Sequence, residues 1–190
     1  MSSKKNNLNS DDYFYMEKAL GLAKTNYGLT GENPSVGCVL VKNNQIISSG
    51  VTGIYGRPHA EANAIKNSLI NVKGSTLYVT LEPCNHYGKT PPCTNLIKNK
   101  KIKNVVYGIN DIDPRTSKTA KKFFKSKNIK VTQGILSKKL NKFYKSYFYI
   151  KRNKLPYVIG KIASSKDNFI KSKKNKMITN NFSQDVSHLL

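Results

Sequence analysis

Apolar positions recur along the chain with two alternating periods, one helical and one extended, and together they mark out the elements. Between Asp11 and Tyr27 the residues Met16, Ala19, Leu20, Ala23 and Tyr27 fall on one face of a helix, behind Ser10 and Asp11 as N-terminal caps. After the turn-like Gly31-Glu32-Asn33-Pro34, the apolar run Val36-Gly37-Cys38-Val39-Leu40-Val41 and the shorter Gln45-Ile46-Ile47-Ser48 flank Asn43-Asn44, which predicts a hairpin. Cys38, inside that run, is expected to be a buried structural cysteine.

The pattern continues with a helix over His59 to Leu69, beginning just after Pro58, and a β-rich run from Ser75 to Leu81. A short helix over Cys93 to Lys98 and a strand over Asn104 to Ile109 follow. A helix over Thr116 to Lys127, a strand over Ile129 to Gln133 and an amphipathic helix from Ser137 to about Lys151 complete the series. Strands alternating with helices predict an α/β fold whose sheet is covered on both faces. From Leu155 the character changes: residues 155–163 read as a new strand, and residues 171–176 are mostly lysine. About forty residues without disulfides or metal are too few for an independent core. The expected organisation is one domain over residues 1–150 and a tail over 151–190 that is not a domain of its own.

Composition adds to this picture in three ways. With 190 residues, 38% of them apolar, the chain has material for one ordinary core. No stretch has the apolar length of a membrane span, and Met1 to Asn7 leads into no apolar signal region, so a cytoplasmic protein without a membrane partner is expected. The net charge of +23 invites a nucleic-acid reading. The basic residues, however, are lysines scattered among asparagines and isoleucines, without the interleaved aromatics and arginines that such surfaces favour. We therefore expect solvated lysines and no nucleic-acid partner; an anionic small substrate would also be served by the field.

Three cysteines make an odd count, and two of them lie in a stretch punctuated by proline and glycine with a histidine nearby, which suits metal ligation better than disulfides. The decisive segments are Pro58-His59-Ala60-Glu61 and Thr80-Leu81-Glu82-Pro83-Cys84, the latter running on to Cys93. Hydrolytic deamination of an aromatic ring is difficult because water is a poor nucleophile and attack destroys aromaticity. Zinc lowers the pKa of a bound water toward neutrality, and three protein ligands leave a position open for it. His59, Cys84 and Cys93 are the candidate ligands. Glu61, two residues beyond His59 at a helix start, is placed to move protons without ligating. This H-x-E…P-C…C arrangement is the signature of zinc nucleobase deaminases. Here eight residues separate Cys84 from Cys93, where two are usual, so a loop that could carry specificity sits at the metal itself.

These residues resemble a particular family, the pyrimidine deaminases of riboflavin biosynthesis. Its members read Pro-His-Ala-Glu and then Thr-Leu-Glu-Pro-Cys-x-His-x-Gly-Lys/Arg-Thr-Pro-Pro-Cys, as this chain does at 58–61 and 80–93. With Asn33-Pro34-x-Val36-Gly37-Cys38 upstream, the likeness spans about the first 150 residues. The resemblance implies a three-layer α/β/α cytidine-deaminase-like fold with a central, mostly five-stranded mixed sheet, and one zinc ion per chain. It implies deamination of 2,5-diamino-6-(5-phosphoribosylamino)pyrimidin-4(3H)-one to 5-amino-6-(5-phosphoribosylamino)uracil and ammonia. Asn33, His86, Lys89 and Asp111 stand where the family contacts its substrate. Thr52 replaces a frequent histidine, and Ile112-Asp113 a common Pro-Asn.

The tail resembles the opening of the reductase domain that many relatives carry. Residues 161–168 follow that pattern with Asn168 replacing glycine, and Met177-Ile178-Thr179 stands where Trp-Ile-Thr is usual. The chain ends at Leu190, so reductase activity is expected to be absent, and whether a separate reductase supplies the next step is left open. Homo-oligomerisation is left open.

Plainer readings stand beside these. A lone histidine at a helix start is more often a cap, His86 and Lys89 would serve equally as exposed loop residues, and Asp111 and Asp113 would suit a turn before Pro114. Two other functions compete: a deaminase of a transfer-RNA loop, against which the cysteine spacing argues, and a zinc-stabilised binding module without activity.

Overall fold

The computed structural model describes residues 10–170. Helix α1 (Ser10–Thr25) carries Asp11 and Asp12 in its first turn, where acidic side chains complement the helix dipole. Strands β1 (Gly37–Lys42) and β2 (Gln45–Val51) form the hairpin. Its turn residues Asn43 and Asn44 both have positive φ, 50° and 59°, the left-handed pair that a two-residue turn with strand-compatible twist requires and that asparagine tolerates. The chain continues through α2 (Ala60–Lys66), β3 (Thr76–Leu81), α3 (Cys93–Asn99), β4 (Asn104–Ile109), α4 (Ala120–Ser126) and β5 (Lys130–Gln133). Helices α5 (Ser137–Phe143) and α6 (Lys145–Asn153) follow.

The sheet has the order β2-β1-β3-β4-β5. Strand β1 pairs antiparallel with β2 and β3, whereas β3–β4 and β4–β5 are parallel, so the sheet is five-stranded and mixed, as the resemblance implies. Alternation along the central strands divides the core between its two faces. Val39, Val41, Tyr78 and Val106 join Met16, Ala19 and Leu20 of α1 and Leu140 and Phe148 of α5 and α6. Cys38, Leu40, Leu77, Val79, Val105 and Tyr107 join Ala60, Ala64, Ile97 and Phe124 of α2, α3 and α4. Cys38 is fully buried in that second cluster, and burial pushes its thiol well up. The three-layer fold follows from the strands being apolar on both sides.

Helix α1 lies so close to β1 that Gly37 has no room for a side chain. A Cβ there would fall on the Ala19 carbonyl oxygen and 2.8 Å from the Ala23 amide nitrogen. Both clashes are with backbone, so relief requires moving a helix. Gly37→Ala is expected to cost about 3 kcal/mol, read as a lower urea midpoint by circular dichroism.

Several expected boundaries shift, for local reasons. The first helix ends at Thr25 and leaves Tyr27 in a turn, its ring tilted against that of Phe143 at 5.3 Å. Helix α2 stops at Lys66, short of the expected Leu69, which is 99% exposed. Residues 116–119 are turns: the Thr116 and Ser117 amides donate to the Asp113 carbonyl, and Lys118 adopts φ 61°, which interrupts a helix until Ala120. The single helix expected from Ser137 is two, broken at Tyr144 (φ −87°, ψ 8°). That side chain turns into the core, where its hydroxyl bonds Thr80 at 2.6 Å and donates to the Ser35 carbonyl at 3.0 Å.

The described residues fall into two units that meet between Leu155 and Pro156. The first holds the whole sheet. In the second, residues 156–170 contain a turn in which the Asn168 amide donates to the Ser165 carbonyl. Asn168 has φ 66°, a conformation natural for glycine and accessible to asparagine, which accounts for asparagine at that place. The strand expected over 155–163 is not formed: no strand pairs with it among the described residues, and Val158, Ile159 and Ile162 are exposed. The lysine run at 171–176 and Met177-Ile178-Thr179 lie outside the described residues.

Candidate metal centre and cleft

The metal-binding candidates sit where three local signals coincide. His59 occupies the N-cap position of α2 in extended conformation (φ −69°, ψ 156°), so its ring projects beyond the helix end. Cys84 lies just past the carboxyl end of β3, and Cys93 opens α3 behind the N-cap Pro92. Proline at that position lacks an N–H in any case, and the free Cys93 N–H donates to Cys84 Sγ at 3.3 Å.

One ligating atom from each of His59, Cys84 and Cys93 lies within 4.8 Å of the others. His59 Nδ1 stands 3.5 Å from Cys84 Sγ and 3.4 Å from Cys93 Sγ. In a tetrahedral zinc site, with sulfur about 2.3 Å and nitrogen about 2.0 Å from the ion, neighbouring nitrogen and sulfur donors are about 3.5 Å apart. The spacing and the soft donor set therefore both fit zinc. The Cys84 thiol is pulled down to about 4, first by the hydrogen bond from the Cys93 thiol and then by that from His59, against the penalty of burial. Cys93 is pushed up because its proton is held in that shared bond and because it is buried beside the Glu61 carboxylate. His59 is raised, chiefly by its bond to Cys84.

Glu61 lies in the first turn of α2 and is 4% exposed. Burial pushes its carboxyl up, while the nearby His59 ring draws it down. It lines the same cleft as His59 and Cys84, a cavity of about 320 Å³.

Asn33, His86, Lys89 and Asp111 all line that cleft as well. Asn33 Nδ2 donates to the Gly56 carbonyl at 3.1 Å. His86 Nδ1 is 2.8 Å from the hydroxyl of buried Thr116. Lys89 stands exposed in the loop between the two cysteines. Asp111 Oδ1 accepts the Asp113 amide at 3.1 Å and the Tyr147 hydroxyl at 3.3 Å, and burial raises its carboxyl. Asp113 shapes the turn before Pro114: its carboxylate accepts from the Arg115 amide and guanidinium, which holds it down at about 2.

Other residues of the wall were not assigned to the site by the sequence. Arg57, Arg115 and Lys151 add to Lys89, so four cationic side chains surround the cavity. Arg57 Nη1 donates to Thr90 at 2.5 Å, joining the segment before His59 to the loop between the cysteines. Tyr147 and Lys151, four residues apart on one face of α6, come from a helix remote in sequence from the motifs. Thr52 lines the cleft too, with its hydroxyl accepting the Val36 amide. Glu82, read only as part of a motif, is buried at the cavity wall.

A mixed sheet with parallel strand ends opening on a His-Cys-Cys cluster and a buried glutamate defines a zinc deaminase of the cytidine deaminase class. The sequence family described as the cytidine and deoxycytidylate deaminase zinc-binding region matches residues 9–109. A diaminohydroxyphosphoribosylamino-pyrimidine deaminase of Buchnera aphidicola subsp. Schizaphis graminum is 43% identical over 76% of this chain and 99% of its own length. The riboflavin biosynthesis protein RibD of Buchnera aphidicola subsp. Baizongia pistaciae is 41% identical over 94% of this chain and 49% of its own. The crystal structure of a diaminohydroxyphosphoribosylaminopyrimidine deaminase/5-amino-6-(5-phosphoribosylamino)uracil reductase from Thermotoga maritima superposes with TM-score 0.83 and 37% identity. That superposition covers 94% of this chain and 52% of the other. The chain belongs to the family of the diaminohydroxyphosphoribosylaminopyrimidine deaminases. It spans about half the length of the RibD protein and of the Thermotoga structure it matches. No helix among the described residues is long and apolar enough to cross a membrane.

Proposed function

We propose that residues 1–150 form a deaminase domain that hydrolyses the ring amino group of a phosphoribosylated diaminopyrimidine, giving the corresponding uracil and ammonia. The observation that carries this reading is the convergence of His59 Nδ1 and two sulfurs beside the buried Glu61. His59, Cys84 and Cys93 would hold one zinc ion per chain. When bound there, zinc supplies the Lewis acidity that makes water nucleophilic near neutrality.

The chain's own groups do the rest. The Glu61 carboxylate takes the proton of the attacking water and delivers it to a ring nitrogen. A second proton passes through the same carboxyl to the amino group, which leaves as ammonia while the ring carbon keeps the oxygen as a carbonyl. Burial favours this cycling, because a neutral Glu61 is then less costly than it is in water. Asn33, His86 and Asp111 would orient the pyrimidine, and Lys89 on the rim would meet the phosphate. The substrate partner is the phosphoribosylated pyrimidine, with no nucleic acid or membrane as partner and homo-oligomers open to assay.

Ammonia release from the diaminopyrimidine, with metal content determined on the same sample, tests the reading; turnover of an anticodon stem-loop instead would overturn it. Lys89→Ala is expected to raise KM for the phosphorylated substrate about tenfold, with little change for its dephosphorylated form. Steady-state kinetics on both substrates checks this.

A further inference from the structure

Three backbone amides from one segment converge on a single buried side chain, Glu82. Its Oε1 accepts the Ala120 N–H at 3.1 Å, and its Oε2 accepts the Lys118 N–H at 2.9 Å and the Asp111 N–H at 3.3 Å. The residue is 3% exposed, and its own amide donates to the Ile109 carbonyl at 2.9 Å. It stands between the end of β3 and Cys84, so it joins the strand that leads into the metal centre to the segment after β4.

That segment forms one wall of the cleft through Asp111, Asp113 and Arg115. It also braces His86, through Thr116. Regular structure does not hold it there: Lys118 is left-handed, and α4 starts only at Ala120. All three amides that reach the Glu82 carboxylate are donors, so the position calls for an acceptor with two oxygens and no hydrogen of its own. An amide or hydroxyl would turn a donor toward a donor, and an apolar residue would leave three amides without a partner.

We propose that Glu82 is a positioning residue for the substrate: it fixes the 111–120 wall, and through it Asp111 and His86, at working distance from the metal centre. Its effect should therefore fall on substrate affinity rather than on the metal or on proton transfer. This rests on the function proposed above, but its geometric half can be read independently of turnover.

The experiment compares the wild-type chain, Glu82→Gln and Glu82→Asp in the zinc-loaded full chain. For Glu82→Gln the expected result is a KM raised about tenfold or more, with kcat within about threefold and zinc content unchanged. Glu82→Asp, which keeps the charge but is one methylene short, should recover part of that loss. Amide hydrogen exchange should quicken over residues 111–120 in Glu82→Gln and stay unchanged over residues 60–66. An unaltered KM with unaltered exchange would sink the proposal, and so would a loss confined to kcat. If Glu82→Gln fails to fold, Glu82→Asp carries the same comparison. If the wild-type chain turns over no diaminopyrimidine, the proposed function fails, while the exchange pattern still decides whether Glu82 holds the wall.

Discussion

Glu61→Gln should lower kcat for ammonia release by about a thousandfold while leaving zinc content and fold intact. Glutamine preserves the shape of a side chain that is 4% exposed in the first turn of α2, so the local packing should survive. What disappears is the capacity to take up and return a proton at the carboxylate oxygen. Without it, water must lose its proton unaided and the ring nitrogen must gain one from solvent, to which the buried site gives little access. Because Glu61 is not among the three groups whose donor atoms cluster, the ion should stay in place. A zinc-stabilised binding module predicts the opposite, full function in the variant. Steady-state kinetics and metal analysis of one preparation separate the two.

Cys84→Ala should abolish activity, by more than about a thousandfold, through loss of the metal itself. Removal of one sulfur leaves an imidazole and a single thiol, below the three protein ligands that a catalytic zinc site uses. It also deprives the Cys93 amide of its acceptor at the start of α3. Zinc content should fall to below about a tenth of the wild-type value, since binding free energy depends steeply on ligand count. Chelation of the wild-type protein should reproduce the loss, and added zinc should reverse it. As an ion that binds only the folded chain stabilises it, chelation should also lower Tm by about 5 °C or more. A chelated protein with undiminished turnover would remove zinc from the chemistry altogether.

Much of this centre was legible in the residues because its signals are local. His59 and Glu61 are two positions apart at a helix start, Cys84 and Cys93 bracket one loop, and each pair projects from a place that capping and strand-end rules locate. The strands were legible because both faces of β1, β3 and β4 are apolar, and the Asn43-Asn44 turn announced its own backbone. Tertiary placement was not. Tyr147 and Lys151 reach the cleft from α6, Arg115 and Asp113 compensate one another only once their turn has formed, and the partners of Glu82 are backbone amides that no side-chain pattern reveals. The break at Tyr144 had the same origin, a hydroxyl drawn to Thr80 and Ser35 far away along the chain. The apolar residues at 155–163 showed the converse weakness, since a β-like composition makes no strand without a neighbour to pair with.

The nitrogen and the two sulfurs come from opposite sides of the turn at Leu69 and Ile70, both well exposed to solvent. A nick in that turn would leave the imidazole and its glutamate on one fragment and both thiols on the other. A dication bound there would then tie together two separate polypeptides that the β1–β3 pairing also joins, and zinc would tighten their reassembly. The ion proposed for hydrolysis in the intact chain would, in the divided one, strengthen complementation.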